Sequence, residues 1–206
     1  MKLSDENIHG LGVAFNEATL LGVEVDTNRH ICGITLAVLA LPSEGPKRDD
    51  SRLQIILHPI GRVAASLRHG RWDDDKAQVE PFEVHRLFEV VQSFHGLPIY
   101  GWAFIDTPEE AFSKWSKRLS LDWRGDSDIV THNLTLFQEG GSPDRILDLR
   151  IWFQDIAFCR PSGEKVPIAT VVDEGKRWWD GLYSGDPRTQ DQGIHPLKND
   201  RGEQGG

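Results

Sequence analysis

The residues of this chain best suited to chemistry lie in three late segments, where apolar and polar positions alternate. The polar positions carry charges and an aromatic ring: Asp122, Asp148, Arg150 and Trp152. Alternate residues of a β-strand point to opposite faces of a sheet, so these four side chains share one face if the segments pair as strands. Such a face must either be covered by the rest of the protein or bind another molecule.

Two functions fit this predicted face. Arginine and tryptophan anchor many protein interfaces, so Arg150 and Trp152 could help to recognise a protein partner. Alternatively, Asp122 and Asp148 could form the pair of carboxylates, about 5 to 10 Å apart, that glycoside hydrolysis requires, with Trp152 as a platform for a sugar ring. Cross-strand ion pairs on a solvated face, or a face covered by the predicted terminal helix that carries Trp178 and Trp179, would explain the same residues without either function.

The adjacent residues Trp178 and Trp179 form a second candidate site, in a predicted helix. Indole rings stack on sugars and bases, so Trp178 could contribute to a ligand platform. Neighbouring residues of a helix point about 100° apart, which allows one indole to be buried while the other is partly exposed. Packing on a helix face is the more common role of such a pair.

The sequence contains no motif that identifies an enzyme or a cofactor site. Its eight histidines form no HxH or HExxH pattern and no cluster with a cysteine, so no metal site is predicted. The Gly10-Leu11-Gly12 segment lacks the third glycine and the preceding strand of a dinucleotide-binding fingerprint. Neither a Walker loop nor a GxSxG elbow occurs. We therefore expect no cofactor, and we favour a non-enzymatic protein over an enzyme.

Charge and composition narrow the classes of partner and compartment. The 206 residues carry a formal net charge of −9, which disfavours nucleic acid and anionic membranes and favours a basic partner. Cys32 and Cys159 are far apart in sequence, as is typical of a reduced cytoplasmic protein. The hydrophilic start lacks the core of a signal peptide. The longest apolar run, residues 34–41, is too short to cross a membrane.

Most of the elements that position the candidate residues are predicted to be strands. The first two form an opening hairpin, the third is bent at Pro59 and Gly61, and the last three pair as a meander. The predicted strands cover residues 20–26, 30–41, 52–68, 97–105, 119–124, 132–138 and 146–158. Apolar stripes and start signals such as Thr107-Pro108 add helices over residues 81–94, 107–117 and 170–183.

These patterns predict an α+β, β-dominated fold, with a mostly antiparallel curved sheet or sandwich and two to three packed helices. Residues 1–184 are expected to form one globular domain, and residues 185–206 a disordered polar tail. The order of an opening hairpin, a β-rich middle and late Trp-rich strands is similar to that of small bacterial immunity-type proteins, in architecture and size rather than in any motif.

The sequence therefore predicts a cytoplasmic, non-enzymatic module that binds a basic or polar protein partner. The predicted binding residues are Asp122, Asp148, Arg150, Trp152 and Trp178. The alternative is a carboxylate-using hydrolase that acts on a glycan.

Overall fold

The computed structural model describes residues 3–126, 130–140 and 144–192. Four α-helices lie in these ranges: α1 (Asp5–Phe15), α2 (Leu87–Gln92), α3 (Glu109–Ser113) and α4 (Ile168–Ser184). The strands are β1 (Thr19–Asp26), β2 (Ile31–Ala37), β3 (Arg52–His69), β4 (Gln78–Val79), β5 (Leu121–Arg124), β6 (His132–Gly140), β7 (Arg145–Cys159) and β8 (Lys165–Val166). Short 3-10 helices cover Val84–Arg86 and Pro187–Gln192. The predicted α+β, β-dominated class is confirmed.

The strands form one antiparallel sheet built around β3, which is 18 residues long. The order is β1-β2-β3-β7-β6, with β4 and β5 also paired to β3 and β8 paired to β7. The register between β3 and β7 shifts between Ile60 and Arg62. The shift lies where a bend or bulge was predicted, at Pro59 and Gly61. Strand β3 pairs with β2 in its first half and with β5 in its second.

One pairing differs from the predicted meander. In the described residues β5 pairs with β3 rather than with β6, because β3 continues beyond the end of β2 and leaves an edge that β5 occupies. The shared polar face is nevertheless formed. Asp122 on β5 and Arg150 on β7 both pair with Ala64, which lies between them on β3.

The main core lies on one face of the sheet, beneath α1, α2 and α4. Apolar residues from the three helices pack there on the inward side chains of the strands. Helices α1 and α4 approach so closely that a Cβ on Gly175 would lie 2.6 Å from the Cα of Ala14. Helix α1 was not predicted, because Gly10 and Gly12 weaken its helical pattern. Its start is capped by Ser4, whose hydroxyl accepts a hydrogen bond from the backbone N–H of Asn7.

Several predicted boundaries need correction. The helix predicted over 81–94 is a 3-10 turn followed by the short α2, and the helix predicted over 107–117 is the five-residue α3. Thr107 does not cap α3, because its hydroxyl bonds to Asn133 and Thr135 instead. The segment predicted as a strand over 97–105 forms only isolated bridges, at Pro98 and Ile105.

The packed part of the chain extends beyond Ser184, where the polar tail was predicted to begin. Gly185 ends α4 in the left-handed conformation, with φ of 80°, and Thr189 in the following 3-10 helix is fully buried. Residues 193–206 of the predicted tail lie outside the described residues. No helix in the described ranges combines the length and apolar character needed to cross a membrane.

Candidate functional site

Four of the five predicted binding residues share the face of the sheet opposite the main core, here called the outer face. Asp122 lies on β5, and Asp148, Arg150 and Trp152 lie on β7. The alternation read from the sequence therefore placed them correctly. Trp178 lies elsewhere, on α4, where it packs in a separate apolar cluster.

Helix α3 covers the centre of the outer face. Phe112 and Trp115 pack on Ala64, with Trp152 and Leu119 at the edge of the cluster. The rings of Phe112 and Trp152 meet edge to face, with centroids 5.1 Å apart. Cover by a helix, one of the explanations that the sequence left open, thus applies to this part of the face, although the helix is α3 and not the terminal one.

Arg150 forms hydrogen bonds with the segment that leads into α3. Its side chain is 2% exposed and donates hydrogen bonds to the carbonyl oxygens of Thr107, at 2.9 Å, and Pro108, at 3.3 Å. Glu109 adds an ion pair at 3.4 Å. Burial lowers the pKa of the guanidinium, partly offset by Glu109. A binding role for Arg150 remains a prediction, and its contacts here hold α3 on the sheet.

Asp122 lies at the edge of the outer face, between two arginines. Arg62 donates to it through Nε, at 2.6 Å, and Nη2, at 3.0 Å, and Arg124 donates at 3.2 Å. Partial burial raises its pKa, but these hydrogen bonds outweigh that effect and leave the pKa below its usual value. The guanidinium of Arg62 also lies over Trp152, 4.8 Å from the ring centroid. Trp152 contacts a second guanidinium, from Arg150, at 5.1 Å.

Asp148 lies on the outer face with 13% of its side chain exposed, and it is bonded to Arg68. Burial raises its pKa to about 6, although Arg68 and Arg118 act in the opposite direction. A cavity of about 240 Å³ opens beside this pair, between the sheet and α3. This part of the outer face combines a carboxylate of raised pKa with a concave space.

The two carboxylates proposed for glycoside hydrolysis lie far apart. Strand β3 lies between β5, which carries Asp122, and β7, which carries Asp148. Along the strands, Asp122 is level with Arg150 and therefore two residues from Asp148. Strand spacings of about 4.8 Å and a rise of about 3.4 Å per residue put their Cα atoms roughly 12 Å apart. Each carboxylate is also bound by an arginine. The geometry therefore favours structural roles for both, and the hydrolase alternative remains a prediction.

The raised pKa of Asp148 gives a testable pH dependence. Its folded pKa is above the usual value for aspartate, so between about pH 4 and pH 6 the folded state binds a proton that the unfolded state releases. We expect the free energy of unfolding to fall as pH rises through this window and the Asp148→Asn variant to lose that dependence. Denaturant unfolding at several pH values measures it. A carboxyl ¹³C NMR titration with a midpoint below pH 4 would contradict it.

Trp178 belongs to a second aromatic group, on the opposite side of the sheet. It is 1% exposed, and its ring contacts that of Trp179 edge to face, with centroids 5.0 Å apart. Trp179 in turn contacts Trp102, at 5.6 Å, and Tyr183, at 6.3 Å. Trp102 is 57% exposed and Tyr183 is 60% exposed. We call Trp102, Trp179 and Tyr183 the aromatic patch.

Backbone contacts hold the aromatic patch in place. Trp179 donates its indole N–H to the carbonyl oxygen of Val13, at 3.1 Å. The carbonyl oxygen of Trp102 lies only 2.2 Å from the position that a Cβ on Gly12 would take, which is too close for any side chain. Gly12 therefore allows Trp102 to pack closely on α1. This packing explains a glycine that the sequence analysis had considered only as part of an incomplete dinucleotide-binding motif.

One acidic residue lies on the same helix surface as a member of the aromatic patch. Asp180 is exposed and precedes Tyr183 by three residues on α4, which places both on one helix surface. Near Trp102 in sequence, Tyr100 has a raised pKa, caused by burial and by the charges of Glu17 and Glu139. Lys176, which is also exposed, precedes Asp180 by four residues on the same helix. The sequence analysis considered Trp179 beside Trp178 but identified neither Tyr183 nor Trp102 as a site residue. The spacing of four residues between Trp179 and Tyr183 was the signal available for Tyr183.

Within the described ranges, no group of three or more His, Cys, Asp or Glu side chains is arranged to hold a metal ion. Comparison of the chain with protein-family models, with curated proteins and with solved structures finds no match. The arguments for function therefore rest on the geometry of the outer face and of the aromatic patch.

Proposed function

We propose that this protein is a non-enzymatic binding module of the cytoplasm that recognises a basic segment of a protein partner at the aromatic patch. The observation that carries the proposal is the exposure of Trp102 and Tyr183 around the more buried Trp179. Large aromatic side chains that stack together and remain exposed are typical of interaction sites, in contrast to scattered apolar residues on a surface.

The chemistry of the patch favours a cationic partner. The faces of indole and phenol rings attract lysine and arginine side chains, and carboxylates beside them, such as Asp180, add to the attraction. The net charge of −9 steers a basic partner toward the protein and repels an acidic one. The thiols of Cys32 and Cys159 are both free, which supports a reducing compartment such as the cytoplasm.

Rigid support is the second argument for recognition at this surface. The indole of Trp179 is fixed by its hydrogen bond to Val13, and the backbone of Trp102 is pressed against α1 at Gly12. A partner would therefore meet rings that are already positioned, and little conformational entropy would be lost on binding. An immunity-type role is the narrower form of this proposal, with a basic toxin as the partner.

The test is a binding titration with a lysine- and arginine-rich peptide, with a glutamate-rich peptide of equal length as the matched control. We expect the basic peptide alone to bind, and the double variant Trp102→Ala/Tyr183→Ala to bind it about 30-fold more weakly. That factor corresponds to the loss of two cation–π contacts of about 1 kcal/mol each. Phe88→Ala, which removes another exposed aromatic side chain, should leave binding unchanged.

Capture of proteins from the native lysate is a second test of the proposal. Proteins retained by the wild-type chain should be basic, and they should be lost with the double variant but not with Phe88→Ala. The proposal fails if the basic peptide does not bind, if both peptides bind equally, or if the double variant retains the wild-type affinity.

A further inference from the structure

A separate feature of the outer face is the cavity between α3 and the sheet. Its volume of about 240 Å³ equals the space taken by roughly eight water molecules in the liquid. It lies just below the size range of pockets for drug-sized ligands, which begins at about 300 Å³. The cavity therefore suits a small molecule and not a peptide segment.

The walls of the cavity combine positive charge with aromatic surface. Three cations line it, Arg68 from β3, Lys114 from the end of α3 and Arg118 from the segment that follows, against the single carboxylate of Asp148. The aromatic walls are Trp72, Trp115 and Phe137. The protein as a whole has 23 basic and 32 acidic residues and is negatively charged. The cavity has an excess of two positive charges, so its charge is opposite to that of the whole protein.

Arg68 provides an independent sign that the cavity is built for a ligand. Its side chain is 4% exposed, and among the described residues its Nε has no hydrogen-bond partner. A buried guanidinium N–H without a partner costs free energy that a bound anion would recover. Arg118 donates one N–H to the carbonyl oxygen of Asp74, and Lys114, the other cation that lines the cavity, is an exposed residue.

We propose that this cavity binds a small anion carried on a flat unsaturated ring, such as an aryl carboxylate, sulfonate or phosphate. The anionic group would lie among Arg68, Lys114 and Arg118, and the ring would lie against Trp72 and Trp115. Charge-assisted hydrogen bonds from guanidinium groups are well suited to such oxyanions. The site is on the opposite side of the sheet from the aromatic patch, so it does not depend on the proposed protein partner.

Asp148 makes the affinity of this site dependent on pH. The charged groups that act on its carboxyl are Arg68 and Arg118, and Lys114 lines the same cavity. The carboxylate competes with a ligand for the two arginines. Burial raises the pKa of Asp148 to about 6, so acidification below that value neutralises the competitor. The ligand is expected to bind roughly tenfold more tightly at about pH 5 than at about pH 7.5.

Benzenesulfonate is a suitable probe, because its charge does not change over this pH range, and benzenesulfonamide is its neutral counterpart. We expect calorimetry or NMR titration to show saturable binding of the sulfonate and roughly tenfold weaker binding of the sulfonamide. Lys114→Gln and Trp72→Ala change exposed residues that line the cavity and should each weaken binding about fivefold. Lys117→Gln, an exposed cation on the same segment but outside the cavity, is the matched control and should have no effect.

Three outcomes would overturn the proposal. The first is the absence of saturable sulfonate binding at both pH values. The second is equal affinity for the sulfonate and the sulfonamide. The third is binding that Lys114→Gln and Trp72→Ala leave unchanged, which would place the probe elsewhere on the protein.

Discussion

Replacement of Arg150 by methionine is expected to destabilise the protein by about 3 kcal/mol. The substitution removes the donor that satisfies the carbonyl oxygens of Thr107 and Pro108, and hydrogen bonds from a charged donor contribute about 1.5 to 3 kcal/mol each. Relief of the cost of burying a guanidinium offsets part of that loss. In a chain of this length the melting temperature should fall by roughly 6 to 12 °C.

The matched control for Arg150→Met is Arg124→Met. Arg124 lies on the same face but is 66% exposed in its ion pair with Asp122, so its loss should change stability by less than about 0.5 kcal/mol. Hydrogen exchange gives a second readout, because Arg150→Met should accelerate exchange in residues 106–116 before the rest of the protein. Equal stability of the two variants would show that Arg150 does not hold α3 on the sheet.

Alanine at position 175 is expected to cost at least about 2 kcal/mol, although alanine is the better helix former by about 1 kcal/mol. The new methyl carbon would lie 2.6 Å from both the Cα and the Cβ of Ala14. Because one of these atoms is backbone, α1 and α4 must move apart, which loosens the contacts of Val171 and Trp178 with their neighbours. Overpacking of this kind typically costs about 1 to 3 kcal/mol and occasionally more.

Gly33→Ala is the control for that substitution, because a Cβ on Gly33 meets no atom within 4 Å. Alanine in the middle of β2 should be neutral or stabilise the protein by about 0.5 kcal/mol, since glycine loses more conformational freedom on folding. Denaturant unfolding compares the two variants under the same conditions. If Gly175→Ala were as stable as Gly33→Ala, the close approach of α1 and α4 described here would be incorrect.

The sequence predicted the face on which each strand residue lies better than it predicted which strands are neighbours. Alternation of apolar and polar residues is a local property, so Asp148, Arg150 and Trp152 could be assigned to one face directly. The partner of β5 depends on the length of β3 beyond β2, which is a tertiary property. The same limit applies to Arg68, which pairs with Asp148 across 80 positions of sequence and has no local signal.

The position of α3 on the outer face and the aromatic patch were not predicted, for a related reason. The segment around Phe112 reads as a short amphipathic helix, but its sequence does not say which face of the sheet it covers. Trp102 lies in a segment that resembled an apolar strand, and its contact with Trp179 comes from the packing of that segment on α1. Gly12, which weakened the helical pattern of α1, permits that close approach, but the sequence does not say which residue approaches it.

The central claim is that a basic partner binds at the aromatic patch, and NMR of the seven tryptophan indole N–H groups tests it most directly. With each signal assigned by substitution, the lysine- and arginine-rich peptide is titrated into the wild-type protein. The account predicts that the signals of Trp102 and Trp179 shift with the titration and that those of Trp72 and Trp115 do not. Binding of the peptide without any change at Trp102 and Trp179 would contradict it.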